Sequence, residues 1–198
     1  MEENPHTPSE AAPGAYIGIL SVIPGTLYFL LLSMLSAMLT WGQFKNTRPD
    51  LAEAGRGLLC QFGVALAFLG TTRTDGAPRV HPIAPQFAGD GLYAFITPSL
   101  KRSDLLRDGR YALHSYPRPN DEDAFYITGR AVLVTDEAKR LHLWAAYAGD
   151  ENRQGDVNEI GLARQTIFEL HIESALLTRT TGHGDPAPKH TVWHAGKK

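Results

Sequence analysis

Between Val64 and Thr135 the chain switches every few residues between apolar β-like runs and turn signals, and this rhythm limits its possible folds more than any other feature. The runs are "VALAFLGTTR" (64–73), "RVHPIAPQFA" (79–88), "LYAFIT" (92–97), "RYALHSY" (110–116) and "AFYITGRAVLVT" (124–135). Between them stand "TDGAP", "GDG" (89–91) and the polar loop "PRPNDED" (117–123). Asp-Gly and Pro/Gly clusters mark turns joining antiparallel strands.

Helices punctuate this meander. "TRPDLAEAGRGLLCQFG" reads as a helix with Asp50 as N-cap after Pro49, apolar positions at Leu51, Ala54, Leu58 and Leu59, and Gly63 as its stop. A short helix over 99–108 closes on Gly109, and 136–149 reads as a helix capped by Asp136 with Leu141, Trp144, Ala145 and Ala148 along one stripe. A short helical stretch runs to Arg164, "TIFELHIESALLTRTT" (166–181) alternates as one long or two broken strands, and "HTVWHA" (190–195) is a last strand. Mainly β with flanking helices, in the α+β class, is the expectation. Because exposed edges invite mispairing, the strands should curl into a small closed or partly closed antiparallel barrel.

The N-terminal part differs. From Ala11 to Phe44 no side chain is charged, and Tyr16 to Leu39 is long enough as a helix to cross ~30 Å of hydrocarbon. Lys45, Arg48 and Arg56 follow it, so a membrane anchor through residues 16–39 would leave the body on the cytoplasmic face. Against an anchor, Pro24-Gly25 splits the run, and Met34 or Met38 could be the true start of translation. Residues 1–40 are therefore read as an extension, its apolar helix outside the barrel, and 41–198 as the functional domain. A cytoplasmic protein is expected, the alternative being one anchored to the inner face of the cell membrane.

Nineteen basic against twenty-one acidic residues give a formal charge of -2, which supplies no broad positive field, so no nucleic-acid partner is expected. The single cysteine, Cys60, excludes an internal disulfide, fits a reducing compartment, and reads as core filler rather than a nucleophile. No His, Cys or carboxylate set has metal-ligand spacing, and no residue is assigned as catalytic.

One stretch concentrates chemistry. In "ITPSLKRSDLLRDG" (96–109) a strand ends at Thr97 and a helix begins beside Lys101 and Arg102. Thr97 or Ser99 can cap that helix, whose free N–H groups and macrodipole attract an anion, and Lys101 adds a full charge. Arg79 and His81, two residues apart, share one face of a strand. Pairing about the 89–91 turn would place Arg79 beyond Thr97, level with Lys101. Arg79, Thr97, Ser99 and Lys101 would then surround a phosphate monoester. Arg102 lies ~100° round the helix from Lys101, so it should not serve the same anion, and Asp104 and Asp108 could pair with it and neutralise it.

The string "LGTTRTDGAPRVHPIAP…GDGLYAFITPSLKRSDLLRDGRYALH…FYITGRAVLV" resembles the pyridoxamine 5′-phosphate oxidase-like flavoproteins of the FMN-binding split β-barrel superfamily. The likeness covers about residues 41–195, and "WGQFKNTRPDLAEAG" is similar to the opening helix of small members. It implies a six- to seven-stranded antiparallel split barrel and a homodimer with FMN at the subunit interface. Carried over, Arg79, Thr97, Ser99 and Lys101 would hold the phosphate, and Val80 and His81 would lie along the isoalloxazine. Tyr116 and Trp193 would form a partner-side wall. The implied activity is oxidoreduction of a small molecule by two-electron transfer through the flavin. Leu100 where a second Arg is common, and the lack of a C-terminal Arg-x-His element, depart from the pyridoxal-forming enzymes. The alternative is a non-catalytic or reductase module holding the deazaflavin coenzyme or haem in the same fold.

Overall fold

A computed structural model describes residues 38–148 and 159–197 of the chain. Helices α1 (Trp41–Thr47) and α2 (Pro49–Leu59) precede strands β1 (Ala67–Thr72), β2 (Pro78–Ile83), β3 (Gln86–Ala88) and β4 (Gly91–Ile96). Helix α3 (Leu100–Arg107), strands β5 (Arg110–Ser115) and β6 (Ala124–Leu133), and helices α4 (Glu137–Ala148) and α5 (Glu159–Arg164) come next. Strands β7 (Thr166–Arg179) and β8 (Lys189–His194) complete the chain.

Every pairing is antiparallel, in the order β2-β1-β5-β6-β7-β4-β3, with β8 pairing β7 in addition. The curl of this sheet follows from connectivity. Its two end strands, β2 and β3, are consecutive in the chain and joined only through Ala84 and Pro85, a link that spans at most ~11 Å. The ends must therefore come together, as a barrel requires. The split lies along β7, which pairs β4 through Thr166–Glu169 and β8 through Ser174–Arg179. Seven strands lie on the path as expected, and β8 makes an eighth.

Directly opposed residues share a face. One cross-strand row, Leu69, Leu113, Ile127 and Ala175, is buried and fills the barrel. Helix α1 plugs it with Trp41 and Phe44, whose rings meet Phe87, Phe125 and Trp193 at centroid distances of 4.7 to 6.5 Å. The outer face of β4 and β7 is covered by a second apolar cluster, Tyr93, Val134, Leu143 and Ile167. Between Thr128 and Gly129 the β6–β7 register shifts, and a Cβ on Gly129 would stand 1.9 Å from the His171 carbonyl oxygen, so only glycine fits there.

Several local expectations need correction. Asp50 is not the N-cap of α2: Arg48 holds that position, Pro49 takes the first helical place, and Asp50 instead pairs with Arg48 at 2.6 Å. The run 79–88 is two strands at opposite ends of the sheet path, because the chain breaks pairing at Ala84-Pro85, where proline has no N–H to give. Asp136 does cap α4, accepting from the Lys139 backbone N–H at 2.7 Å. The buried residues of α4 are Leu143 and Trp144, however, with Leu141 49% exposed, because it is Leu143 that packs on Tyr93, Val134 and Ile167. The long run 166–181 is one strand, ending at Arg179.

Leu39, the last residue of the apolar N-terminal run, exchanges two backbone bonds with Ile172, at 2.9 and 2.7 Å, and Thr40 caps α1 through a capping box with Gln43. The rest of the 16–39 run lies outside the described residues. Among the described residues no helix is long and apolar enough to cross a membrane.

Candidate functional site

The site forms where α3 meets β1 and β2. The "TDGAP" turn pairs β1 with β2 so that Thr71 opposes Arg79 and Leu69 opposes His81. Arg79 and His81 therefore look to the same side as the buried Leu69, while Val80 opposes Gly70 on the other face and is 63% exposed. Asp104 of α3 reaches this corner. Its carboxylate accepts from Thr71 Oγ1 at 2.9 Å and from Arg79 Nε at 2.8 Å, with Arg107 at 3.9 Å on its other oxygen. Arg107 also donates to the Thr72 carbonyl, which closes the corner.

These contacts set the charge of the site. Burial pushes the Asp104 carboxyl up, but the bonds from Arg79 and Thr71 outweigh it and hold the group below the usual carboxylate range. Arg79 uses Nε on Asp104, and among the described residues its terminal nitrogens make no further hydrogen bond. His81 lies in the field of both cations: burial, then the charges of Lys101 and Arg79, hold its imidazole below the ordinary histidine value, against the opposing pull of Asp104. Its Nε2 is buried with no partner among the described residues.

Helix α3 contributes backbone donors. Ser99 sits at the N-cap with extended backbone, but its hydroxyl donates back to the Thr97 carbonyl at 3.0 Å and makes no cap bond to the helix. The first intrahelical bond runs from Ser103 N–H to the Ser99 carbonyl at 3.1 Å, and the first turn carries no acidic residue. The N–H groups of Leu100, Lys101 and Arg102 thus face outward at the positive end of the helix dipole.

Of the residues expected to act together, Arg79 and Lys101 both act on the His81 ring, and Ser99 bonds to the Thr97 carbonyl. Arg79 is not brought to Lys101 by pairing β2 against β4, because β4 pairs β3 and β7 while β2 turns back onto β1. Its bond to Asp104 ties it instead to α3, the helix that carries Lys101. Asp104 and Asp108 do not neutralise Arg102 either: Asp104 serves Arg79, and Asp108 pairs with Arg110 at 2.7 Å. Val80 and His81 point to opposite faces, so a ligand meeting both must lie along the outer edge of β2, the end strand of the path, whose outward N–H and C=O groups no described strand pairs. Trp193 is no wall residue: it is 9% exposed and packs 5.0 Å from Phe44 in the core. Tyr116 stacks on Phe68 at 4.4 Å. Among the described residues there is no group of His, Cys, Asp and Glu able to hold a metal.

Two cross-strand rows of the outer sheet face beside Val80 carry no formal charge. One cross-strand row reads Val80, Gly70, Ala112, Thr128, Ser174 and His194, and the next reads Pro82, Phe68, His114, Tyr126, Leu176 and Val192. Neither contains Lys, Arg, Asp or Glu. Beside these rows, floored by Gly70 and Ala112 and with Arg110 on its wall, lies a cleft of about 330 Å³.

A curled antiparallel sheet split along one long strand, with helices packed on it, is the split-barrel architecture. The chain has the fold of the pyridoxamine 5′-phosphate oxidase-related FMN-binding proteins: it aligns with one from Nostoc punctiforme PCC 73102 at 13% identity, over 76% of this chain and 90% of that one, with a TM-score of 0.52. A candidate 5-nitroimidazole antibiotic resistance protein from Bacteroides thetaiotaomicron VPI-5482 aligns at 14% identity, over 62% and 80% of the two chains, with a TM-score of 0.51. A haem-binding protein from Mycobacterium smegmatis aligns at 14% identity over 70% and 57% of the chains, with a TM-score of 0.48. At these identities the first two likenesses establish the fold alone. No family model matches the chain, and no curated protein does.

Proposed function

We propose that this chain is an FMN-binding flavoprotein that acts as an oxidoreductase on a small molecule. The observation that carries the reading is the corner in which Arg79, held by Asp104, and Lys101 flank His81 beside the uncapped first turn of α3. A phosphate monoester needs such a set: two cations and several N–H donors that do not have to be reorganised when it arrives. Thr97 and Ser99 add hydroxyls at the same strand end. The open edge of β2 at Val80 and His81 offers backbone donors and acceptors to the polar rim of a flat ring system. Bound FMN would supply two-electron transfer; this chain would supply its placement and polarity.

The two uncharged rows of the outer face, bordered by Arg110, support a homodimer. In a chain with 20% charged residues, two rows of strand residues without a formal charge, and with Val80 and Val192 63% and 56% exposed, fit a surface covered by a second copy. Val80 would then meet cofactor and partner together.

The test is direct. Purified protein should show flavin absorbance bands, release FMN by mass spectrometry, and lose its yellow colour when given a reduced nicotinamide donor. Colourless protein that does not respond to FMN in titration would overturn the flavin reading.

A further inference from the structure

Strand β2 ends the sheet path, and the register decides which of its backbone groups look outward. The Arg73 N–H donates to the Ala77 carbonyl at 2.9 Å, so Ala77 turns its backbone toward β1. In an antiparallel pair that direction alternates along the strand. Arg79, His81 and Ile83, opposite Thr71, Leu69 and Ala67, therefore also turn toward β1, while Pro78, Val80 and Pro82 turn away from it. The two prolines agree with this parity, because a residue without an N–H stands in a strand only where the ladder needs no donor.

The result is an outer edge with a single N–H. Pro78 and Pro82 present carbonyls alone, and Val80, between them, presents an N–H and a C=O side by side. Among the described residues no strand pairs with this edge and no backbone bond reaches it. A further peptide strand is a poor occupant, since the positions on either side of Val80 have no donor to give it. One outward residue instead matches one cis amide, whose own C=O and N–H lie on the same side. The lactam edge of a pyrimidinedione ring is such a group: its carbonyl accepts from the Val80 N–H, and its N–H donates to the Val80 carbonyl.

The neighbouring residues supply the second anchor. Arg79 and His81 turn their side chains to the opposite face from Val80, where Arg79 is bonded to Asp104 and the charge of Lys101 acts on the His81 ring. An anion at that corner and a ring at the edge are thus met by consecutive residues. Haem has no lactam. Its carboxylates accept but do not donate, which leaves the Val80 carbonyl without a partner.

We infer that the backbone of Val80 binds the lactam edge of a pyrimidinedione ring, N3–H and an adjacent carbonyl, so that β2 selects a flavin or a deazaflavin over haem. This deepens the flavin reading and rests on it for the anion at the corner. The test is fluorescence titration of the full-length protein with FMN and with FMN methylated at N3, which keeps the phosphate and loses the lactam N–H. The wild type should bind FMN at least about ten-fold more tightly than the methylated form. Val80→Pro removes an N–H that β1 does not use, so it should weaken FMN several-fold and shrink that preference, while Val80→Ala should keep the preference. Should Val80→Pro disturb folding, the ratio of the two affinities in the wild type decides alone. Equal affinity for FMN and its N3-methyl form would overturn the inference and leave the phosphate corner standing. Binding of the deazaflavin coenzyme in place of FMN, again with loss on N3 methylation, would uphold the lactam contact and overturn FMN as the cofactor. Binding of neither ring system, or of haem instead, would overturn both.

Discussion

Arg79 donates from Nε to Asp104 Oδ2 at 2.8 Å, and this one bond ties the edge strand β2 to helix α3. It aims a guanidinium at the rim, and the terminal nitrogens make no further hydrogen bond among the described residues. It also places a buried carboxylate where its loss can be measured.

Asp104→Asn should destabilise the fold by about 2 kcal/mol at neutral pH, because Arg79 and Thr71 lose a charged acceptor in a mostly buried place. Since the folded carboxyl is held below its unfolded value, its contribution is present in full above about pH 4 and is lost as pH falls through the folded value. Urea unfolding of both proteins at neutral and acid pH checks this: the gap between them should narrow in acid.

His81 provides a spectroscopic reporter. Without a ligand, burial and the charges of Lys101 and Arg79 hold it below the ordinary histidine range. A phosphate set among those cations favours the protonated ring, so saturating FMN should move the His81 titration upward. By linkage, FMN affinity should rise as pH falls through the ring's titration range. Proton NMR of the ring with and without FMN reads the direction; a downward shift would contradict a phosphate at this corner.

Glu169 makes a separate acid-sensitive fastening. The His171 ring at 3.7 Å and the Lys139 ammonium at 2.9 Å outweigh its burial and bring its carboxyl down to about 2 from 4.5. The depressed value means stability that is complete above the unfolded value and is lost as pH falls from about 5 toward 2, on the order of 2–3 kcal/mol. Glu169→Gln should lose this amount at pH 7 and match wild type near pH 2, as read from denaturation midpoints.

Gly55→Ala should cost about 1–3 kcal/mol, because the added methyl must displace the fully buried Phe125 ring. Gly57→Ala, two residues on, should stabilise by about 0.5–1 kcal/mol. Thermal melts of the pair separate a glycine required by packing from one that is not. Equal effects would contradict the packing of α2 against β6.

Much of this fold was legible because its signals are local. The Asp-Gly of "TDGAP" marks the β1–β2 hairpin, Asp136 marks the start of α4, and Gly109 closes α3 with a φ of 76°. What failed is non-local. That β2 would abandon β4 for β1 depends on the break at Ala84-Pro85, and an apolar run gives no sign of which neighbour it will choose. Of the site, Arg79 and Lys101 stand out as cations at a strand and a helix start. Thr71 and Asp104, which position Arg79, were missed. Counting back through the "TDGAP" turn would have put Thr71 opposite Arg79; nothing in the sequence announces that Asp104 turns inward rather than toward Arg102.

The central claim is tested most directly by titrating FMN into Lys101→Ala and Arg102→Ala side by side with wild type. Lys101→Ala should weaken binding by about 1.5–3 kcal/mol, as Arg79→Ala should, while Arg102→Ala, its side chain turned ~100° away, should change it far less. Equal losses at positions 101 and 102, or no loss at either, would contradict a phosphate held at the start of α3.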